Sequence, residues 1–377
     1  MNIEKYTNTG IKTPYYIVDE NLLKNNLEKA KMIKEKTGCK ILFAQKAFSM
    51  FSVYPLISQY LDGTCASGIY EARLANEHFG NKDKENHIYA PAYSEDELKE
   101  ALKICEHIIF NNLGQYERFS KLIDKKTVGL RINPECSTTK NPQYDPCVPE
   151  SRLGTKISDM PTKLPEAISG LHSHTLCQQD SIDLEKTFYA IEEKFGKYFS
   201  QIKWINLGGG HMFSWENYDI DRLIKLLNYI KNTYNLDVYL EPGEGVAFNT
   251  GFLVASILDI YNGNIIMDAS GSCHMPDTLS APYRPDILSG FAPYEKPFTY
   301  RMGGPTCLAG DNVFSYSFEK ELKIGDKIVF TDMAHYTMVK NNTFNGIPLP
   351  SIAKINLKNE VELIKSFDYY DFKNRLS

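Results

Sequence analysis

The segment ILFAQKAF, residues 41–48, is a short apolar run followed by an amphipathic stretch, and this unit recurs along the first two thirds of the chain. Successive runs start 20 to 41 residues apart, which leaves room for a crossover helix between parallel strands. The eight runs are ILFAQKAF at 41–48, GTCASG at 63–68, HIYAPAY at 87–93, HIIFNN at 107–112, TVGLRINP at 127–134, ISGLHSHTLC at 168–177, WINLGGG at 204–210 and DVYLEPGE at 237–244. Eight parallel strands that alternate with helices favour a closed, TIM-like (β/α)8 barrel, and an open doubly wound sheet is the alternative.

The segments between the runs carry helix signals. A helix is predicted over residues 21–36, where Leu23, Leu27 and Ala30 fall on one apolar stripe. Residues 94–97, SEDE, form a capping box, which predicts that another helix begins there. Helices of this kind supply the crossovers that the barrel requires.

After residue 250 the pattern changes to strand-like runs separated by Gly, Pro and Asn turns, with no good helix between them. These runs are LVASILDIY at 253–261, NIIMDAS at 264–270, YRMGGPTC at 300–307, LKIGDKIVF at 322–330, SIAKINL at 351–357 and VELIKSF at 361–367. We therefore predict an α/β barrel domain over residues 20–250 and an all-β domain over residues 251–377, to which residues 1–19 add a strand.

The composition excludes several classes of protein. The 377 residues are 42% hydrophobic and 24% charged, which is a globular composition, and a net charge of −5 without a polybasic block argues against nucleic acid as a partner. No apolar run approaches the roughly 18 residues that span a bilayer, and the start of the chain lacks the plan of a secretory signal. The eight cysteines never form a C-x-x-C pair, so we expect reduced thiols in a cytoplasmic protein. We also predict no bound metal.

Lys46 stands in a run that is otherwise apolar except for Gln45. Burying an ammonium group is costly, so such a lysine is neutral, paired or covalently modified. A desolvated lysine is what an imine with an aldehyde requires. The simpler explanation is a lysine side chain that extends from a strand end into solvent.

The last two runs end in groups suited to a phosphorylated cofactor. The glycines at 208–210 let a backbone approach an anion closely, and the loops after strands seven and eight of such barrels commonly hold phosphate. Pro242 keeps the preceding residue extended, so Glu241 can project into the barrel mouth and accept from a protonated pyridine nitrogen. A tight turn and a solvated turn are the simpler explanations. Together with Lys46, these groups describe a site for pyridoxal 5′-phosphate.

The chain resembles the fold-type III pyridoxal-phosphate decarboxylases, the alanine racemase-like class that includes ornithine and diaminopimelate decarboxylases. Within that class it is most similar to the carboxynorspermidine (carboxyspermidine) decarboxylases. The motifs that carry the resemblance lie between residues 13 and 347: FAQKAF, CASGIYEA, SRLG, GLHSHTLC, NLGGGH, LEPGE, HMPD, GPTCLAGD and HYTMVKNNTFNG. The resemblance implies decarboxylation of carboxyspermidine or carboxynorspermidine to spermidine or norspermidine in polyamine biosynthesis, with diaminopimelate decarboxylation as the alternative.

The resemblance also implies roles for individual residues. It makes Lys46 the residue that binds the cofactor covalently, His174 the residue that stacks on its ring and Glu241 the residue that bonds the pyridine nitrogen. The phosphate would be bound by Gly208, Gly209 and Gly210. His172 is interpreted as structural.

Two further residues are similar to ones that the family supplies from the partner subunit of a homodimer. Cys307 resembles the cysteine that protonates the carbanion, and Tyr336 resembles the tyrosine that completes the phosphate site. The simpler explanations are a small buried residue for Cys307 and a core residue of the β-domain for Tyr336.

Three positions depart from the ornithine-type pattern and resemble carboxynorspermidine decarboxylases instead. Glu244 stands where ornithine-type enzymes carry arginine, Leu308 replaces the acid that follows their cysteine, and TLC at 175–177 replaces their V-G-S. By the resemblance, Glu244 and Asp277 would hold the polyamine cations, although Asp277 could be an ordinary polar loop residue. Asp311 falls on the family's acidic residue four positions after the cysteine and is also predicted to bind substrate.

Two rival functions are disfavoured by particular residues. Alanine racemases share the two-domain plan but face the ring nitrogen with arginine, where this chain has Glu241. A non-catalytic pyridoxal-phosphate-binding barrel would need no second domain, whereas Cys307 and Tyr336 lie in one.

Overall fold

The computed structural model describes residues 2–80, 83–124 and 126–377. The chain forms two compact units: Lys24–Val246, and Met1–Leu23 together with Ala247–Ser377. The domain ranges predicted from the sequence, 20–250 and 251–377 with a strand from 1–19, remain a proposal about which segments fold together.

Strands alternate with helices through the first two thirds of the chain, and strands predominate after them. The strands are β1 (Tyr15–Asp19), β2 (Lys40–Ala44), β3 (Gly63–Ala66), β4 (Glu85–Tyr89), β5 (His107–Phe110), β6 (Val128–Arg131), β7 (Ile168–His172), β8 (Trp204–Asn206), β9 (Asp237–Leu240), β10 (Gly251–Tyr261), β11 (Asn264–Met267), β12 (Phe298–Gly303), β13 (Asn312–Phe318), β14 (Lys327–Phe330), β15 (Ser351–Ile355) and β16 (Val361–Lys365). The helices are α1 (Glu4–Thr7), α2 (Glu20–Thr37), α3 (Tyr54–Ile57), α4 (Ile69–His78), α5 (Glu95–Ile104), α6 (Leu113–Ile123), α7 (Ser181–Phe195), α8 (Ile220–Tyr234), α9 (Glu244–Ala247), α10 (Gly271–His274), α11 (Asp277–Ser280) and α12 (Tyr369–Lys373).

Strands β2 to β9 form a closed parallel barrel in the unit Lys24–Val246. Each strand pairs with the next along the chain, and β9 pairs with β2 to close the ring. Both faces of such strands are covered, which is why these runs are apolar throughout rather than alternating. The predicted (β/α)8 barrel is therefore confirmed, and the open doubly wound sheet is excluded.

The interior of the barrel is packed around an indole ring. Trp204 on β8 clusters with Leu42, Ile109 and Tyr239 from three other strands. A Cβ atom at Gly170 would lie 2.0 Å from the Trp204 ring, so glycine at this position of β7 makes room for the indole.

Two predicted helix starts are confirmed within about one residue. Helix α2 covers the segment predicted at 21–36. Helix α5 begins with the predicted capping box, in which the Ser94 side chain accepts from the Glu97 amide and the Glu97 side chain accepts from the Ser94 amide. No helix in the described part of the chain combines the length and the apolar character that crossing a membrane requires.

The second unit contains a mixed sheet. Its strand order is β13-β12-β11-β10-β1-β15-β16, and β14 pairs with β10. The N-terminal strand β1 lies antiparallel to β10 and parallel to β15. The predicted β-rich second part of the fold is therefore confirmed.

Two details of this unit differ from the sequence prediction. Strand β13 was not predicted, because its Asn312 and Ser residues weaken a signal that pairing with β12 overcomes. The short helices α10, α11 and α12 lie in a region predicted to lack helices. Helices of four or five residues are too short for a periodic pattern, and α10 depends on its cap, where the Ser270 side chain accepts from the Cys273 amide.

Candidate active site

The C-terminal ends of three barrel strands bring predicted cofactor residues to one place. Lys46 follows β2, His174 follows β7 and Glu241 directly follows β9. All three line one cavity of about 520 Å³, a size typical of small-molecule sites. This cavity lies at the strand ends where barrels of this kind place their chemistry.

Lys46 lies in a turn and not in the strand that the run 41–48 predicted. Strand β2 ends at Ala44, after which the Ala47 amide donates to the Ala44 carbonyl and the Phe48 amide donates to the Gln45 carbonyl. The Gln45 amide still donates to the Cys65 carbonyl of β3, whereas the amides of Ala47 and Phe48 donate locally. The turn leaves the half-buried Lys46 side chain at the cavity.

His174 connects the lysine to the glycine loop. Its Nδ1 accepts from the Gly209 amide at 3.1 Å, and its Nε2 lies 3.3 Å from Lys46 Nζ. Burial, together with the nearby charges of Lys46 and Arg131, lowers the pKa of His174 well below its usual value. A neutral imidazole that accepts at Nδ1 carries its proton on Nε2. The ring is therefore an uncharged aromatic surface in the cavity.

Glu241 is a buried carboxylate held on both oxygens. Asn206 Nδ2 donates to Oε1 at 2.7 Å, and His172 Nε2 lies 3.2 Å from Oε2. Burial raises the pKa of the Glu241 carboxyl, but the neighbouring His172 and the Asn206 amide outweigh this effect and lower it. The carboxylate is thus ionised in a poorly solvated place, where a charge acts strongly on its neighbours. His172 contacts this carboxylate and also lines the cavity, and its structural role stays a prediction.

The three glycines are required by the packing of the chain itself. Gly208 and Gly210 have φ of +71° and +84°, in the left-handed region that glycine occupies without strain. A Cβ atom at Gly208 would lie 2.6 Å from the His174 Cβ, and one at Gly209 would lie 2.3 Å from the Glu241 carbonyl oxygen. Glycine at these positions therefore lets the loop pack closely against His174 and Glu241.

The phosphate role of the same glycines stays a prediction. The Gly208 amide donates to the Asn206 side chain and the Gly209 amide donates to His174. Among the described residues, none accepts from the Gly210 amide. Of the three, Gly210 is the one whose N–H is available to an anion.

Three residues of the cavity wall were missed by the sequence analysis. Arg131 Nη2 donates to the His174 carbonyl at 3.1 Å, and its guanidinium lies 4.5 Å from the centre of the Tyr89 ring. Burial and then the Glu241 charge raise the pKa of Cys65 well above its usual value, so this residue is a neutral thiol. A cation in the apolar run TVGLRINP was the signal that could have found Arg131, since the same signal found Lys46.

Glu244 is buried but lies apart from the described lining of the cavity. It begins helix α9, and its Oε1 accepts from Gln178 Nε2 at 2.5 Å. Its predicted contact with a substrate nitrogen stays a prediction.

Cys307 and Asp311 lie in the second unit. Cys307 is exposed, and its amide donates to Asn345 Oδ1 at 2.9 Å, so its sulfur is not a small buried core group. Asp311 is 4% exposed and accepts from the Ser270 and Thr306 hydroxyls at 2.8 and 2.6 Å. Asp311 therefore fixes the start of the loop that presents Cys307, and its predicted contact with substrate stays a prediction.

Asp277 and Tyr336 also lie in this unit. Asp277 forms an ion pair of 2.7 Å with Lys340, whose Nζ lies 5.0 Å from the centre of the Tyr336 ring. Tyr336 is half-buried and has φ of +55°. A bulky residue in the left-handed region is uncommon and marks a position worth testing for function.

The cavity fits pyridoxal 5′-phosphate by the chemistry of its groups. Lys46 offers the amine that holds an aldehyde, His174 offers an uncharged ring for the heterocycle, and Glu241 offers an ionised carboxylate for a protonated ring nitrogen. When bound, this cofactor supplies an electron sink for the electrons that remain on Cα after CO₂ leaves. The barrel and its cavity thus define a pyridoxal-phosphate enzyme.

The family is shown by comparison with known proteins. The family model described as "Pyridoxal-dependent decarboxylase, C-terminal sheet domain" matches residues 15–334, and the chain belongs to this family of decarboxylases. The carboxynorspermidine/carboxyspermidine decarboxylase of Campylobacter jejuni is 42% identical over 97% of this chain and 98% of that protein. The carboxyaminopropylagmatine decarboxylase of Synechocystis is 40% identical over 98% of this chain and 96% of that protein. The crystal structure of carboxynorspermidine decarboxylase from Campylobacter jejuni, complexed with norspermidine, superposes with a TM-score of 0.91 at 42% identity, covering 97% of this chain and 100% of that one.

Proposed function

We propose that this decarboxylase converts carboxyspermidine and carboxynorspermidine to spermidine and norspermidine. The observation that carries the proposal is the full-length similarity to the Campylobacter jejuni enzyme named for these substrates. In the reaction the bond between Cα and the carboxylate carbon breaks, CO₂ leaves, and Cα takes up one proton. The product keeps every amine of the substrate.

The cavity residues divide this chemistry among them. Lys46 holds the cofactor, His174 orients its ring, and the negative charge of Glu241 favours a protonated ring nitrogen, which strengthens the electron sink. The Cys307 thiol delivers the proton to Cα. We assign Glu244, Asp277 and Asp311 to the polyamine cations, because carboxylates recognise ammonium groups by charge-assisted hydrogen bonds.

Diaminopimelate decarboxylation is the less supported alternative. Leu308, which is exposed, stands where an acidic residue would bind the distal amine of that substrate. Carboxyaminopropylagmatine is the stronger competitor, since the Synechocystis relative named for it is about as similar to this chain as the Campylobacter one. That substrate ends in a guanidinium group in place of an amine.

The test is to measure kcat/KM of the purified enzyme on carboxyspermidine, carboxynorspermidine, carboxyaminopropylagmatine and meso-diaminopimelate. The first two should be used best, and they should differ by no more than about 200-fold, because one methylene is worth about 1–3 kcal/mol. Preference for the agmatine derivative or for diaminopimelate would overturn the substrate assignment while leaving the decarboxylase family intact.

We further propose a cytoplasmic homodimer in which Cys307 and Tyr336 complete the site of the partner chain. The exposed position of Cys307 and the free state of all eight cysteines support this arrangement and compartment. Chains carrying Lys46→Ala and chains carrying Cys307→Ala should each be inactive alone.

Co-expression of the two variants separates a shared site from one built within a single chain. If sites are shared, random pairing puts half of the chains in mixed dimers with one intact site each, so about a quarter of wild-type activity should return. Activity no higher than that of the single variants would contradict the shared site. If light scattering gives the wild-type protein the molar mass of a single chain, the dimer itself is contradicted.

A further inference from the structure

A second cluster of metal-ligating side chains lies at the opposite end of the barrel from the cavity. Glu85 and His107 are the first residues of β4 and β5, and His87 is the third residue of β4. One ligand atom from each lies within 4.8 Å of the ligand atoms of the other two. These strand starts form the N-terminal end of the barrel, where residues serve stability and not the barrel's main chemistry.

The register of the barrel explains why the three side chains meet. His87 pairs directly with His107 across the parallel β4–β5 ladder. Glu85 and His87 are two residues apart on one strand, so their side chains point to the same face. As a result, His87 Nε2 lies 2.7 Å from Glu85 Oε2, and the two imidazole rings stack with centroids 4.2 Å apart.

Both histidine rings of the cluster are stacked, and each has a ring nitrogen without a hydrogen-bond partner among the described residues. The His107 ring also stacks on Trp204, with centroids 4.7 Å apart. The Nδ1 atoms of His87 and His107 are buried, and neither finds a hydrogen-bond partner in the described part of the chain. Burying a polar atom without a partner is costly, and each of the two stacked rings carries one such atom.

A further pair of residues orients the carboxylate. Lys40 contacts Glu85 Oε1, and Lys40 Nζ lies 3.1 Å from the Tyr239 hydroxyl. Glu85 therefore has one oxygen fixed by a neighbour and the other directed to His87. Outer contacts of this kind fix the ligands of protein metal sites.

We propose that Glu85, His87 and His107 bind one divalent transition-metal ion, and that Zn²⁺ is the ion they fit. Two imidazole nitrogens and one carboxylate oxygen form a common zinc ligand set, with water as the fourth ligand. Mg²⁺ and Ca²⁺ prefer sites made of oxygen ligands, whereas two of the three ligands here are imidazole nitrogens. The ion joins β4 to β5 at the end of the barrel away from Lys46 and takes no part in decarboxylation.

Zinc titration of the holoenzyme tests the proposal. The protein, loaded with cofactor and freed of metal by a chelator, is titrated with ZnCl₂ in a calorimeter. One zinc per chain should bind in the micromolar range, and saturation should raise Tm by about 2 °C or more. The substitutions His87→Gln and His107→Gln should each weaken this binding at least about tenfold.

His78→Gln is the matched control, because His78 is an exposed histidine of the same unit and lies outside the cluster. Zinc could instead bind cysteine thiols, and its affinity would then be equal in the wild type, in His78→Gln and in both cluster variants. That result would overturn the proposal, and so would the absence of zinc binding.

Crystals soaked in ZnCl₂ give an answer that does not depend on the folding of any variant. Anomalous scattering at the zinc edge should show a peak about 2.0–2.1 Å from an imidazole nitrogen of His87 and of His107. Zinc peaks elsewhere with none between these residues would refute the site.

Discussion

Replacing Glu241 by glutamine removes one negative charge from the cavity and changes little else. Asn206 can still donate to the new amide oxygen, over the distance of 2.7 Å at which it donates to Glu241. His172 can accept from the new NH₂ group if its proton moves to Nδ1, an atom that has no partner among the described residues. We therefore expect Glu241→Gln to fold and to retain pyridoxal phosphate.

The size of the effect follows from the lost charge. A neighbouring carboxylate raises the pKa of a base by about 1–3 units, which corresponds to about 1.4–4 kcal/mol. Because Glu241 is only 8% exposed, little solvent screens this interaction. If the whole effect reaches the transition state, kcat falls by about 10- to 1,000-fold.

The assay is CO₂ release from carboxyspermidine at saturation, with the bound cofactor measured by its visible absorbance in the same samples. Glu216→Gln is the control, since Glu216 is an exposed glutamate of the same unit. A variant with full cofactor and kcat within twofold of the wild type would show that the ring nitrogen is held in another way. Loss of the cofactor would show that Glu241 serves binding and not the chemistry.

Three further predictions concern the loop and the lysine. Lys46→Ala should abolish both activity and the visible absorbance of bound cofactor. If the absorbance persists, Lys46 is not the residue that binds the cofactor covalently. Gly209→Ala should weaken cofactor binding at least about tenfold, because its Cβ would lie 2.3 Å from the Glu241 carbonyl oxygen. Gly196→Ala is the control and should leave binding unchanged, because a Cβ there would meet no atom within 4 Å. Equal Kd values of the two variants for the cofactor would contradict this prediction. Burial lowers the pKa of His211 to about 4, so the unfolded chain binds more protons than the folded one between about pH 6.5 and 4, and stability falls as pH falls through that window. In chemical denaturation the loss should reach about 1.4 kcal/mol per pH unit from this residue, and an unchanged pH slope in His211→Gln would refute it.

The barrel could be predicted from the sequence because each buried parallel strand reads as a continuous apolar run. The run 41–48 showed the limit of this signal, since Ala47 and Phe48 extend the apolar run beyond the strand, which ends at Ala44. Strand β13 was missed for the opposite reason. Its sequence is mixed, and pairing with the preceding strand β12 decides its conformation.

The site could be predicted in part. Lys46 and Glu241 stood out because a charge in an apolar run requires an explanation, and the structure places both at one cavity. The contacts that lower the pKa of Glu241 could not be predicted from the sequence, because His172 and Asn206 contact it from other strands. The glycines at 208–210 were noticed for a phosphate, whereas their first requirement is close packing against His174 and Glu241.

The most direct test of the account is to locate the cofactor on the chain. The holoenzyme is reduced with borohydride, which makes the bond between the cofactor and its lysine permanent, and the digested peptides are analysed by mass spectrometry. The account predicts a pyridoxyl group on the peptide that contains Lys46, in a yield close to one per chain. A protein that gains no such group, or carries it on another lysine while Lys46 stays unmodified, would contradict the site described for this barrel.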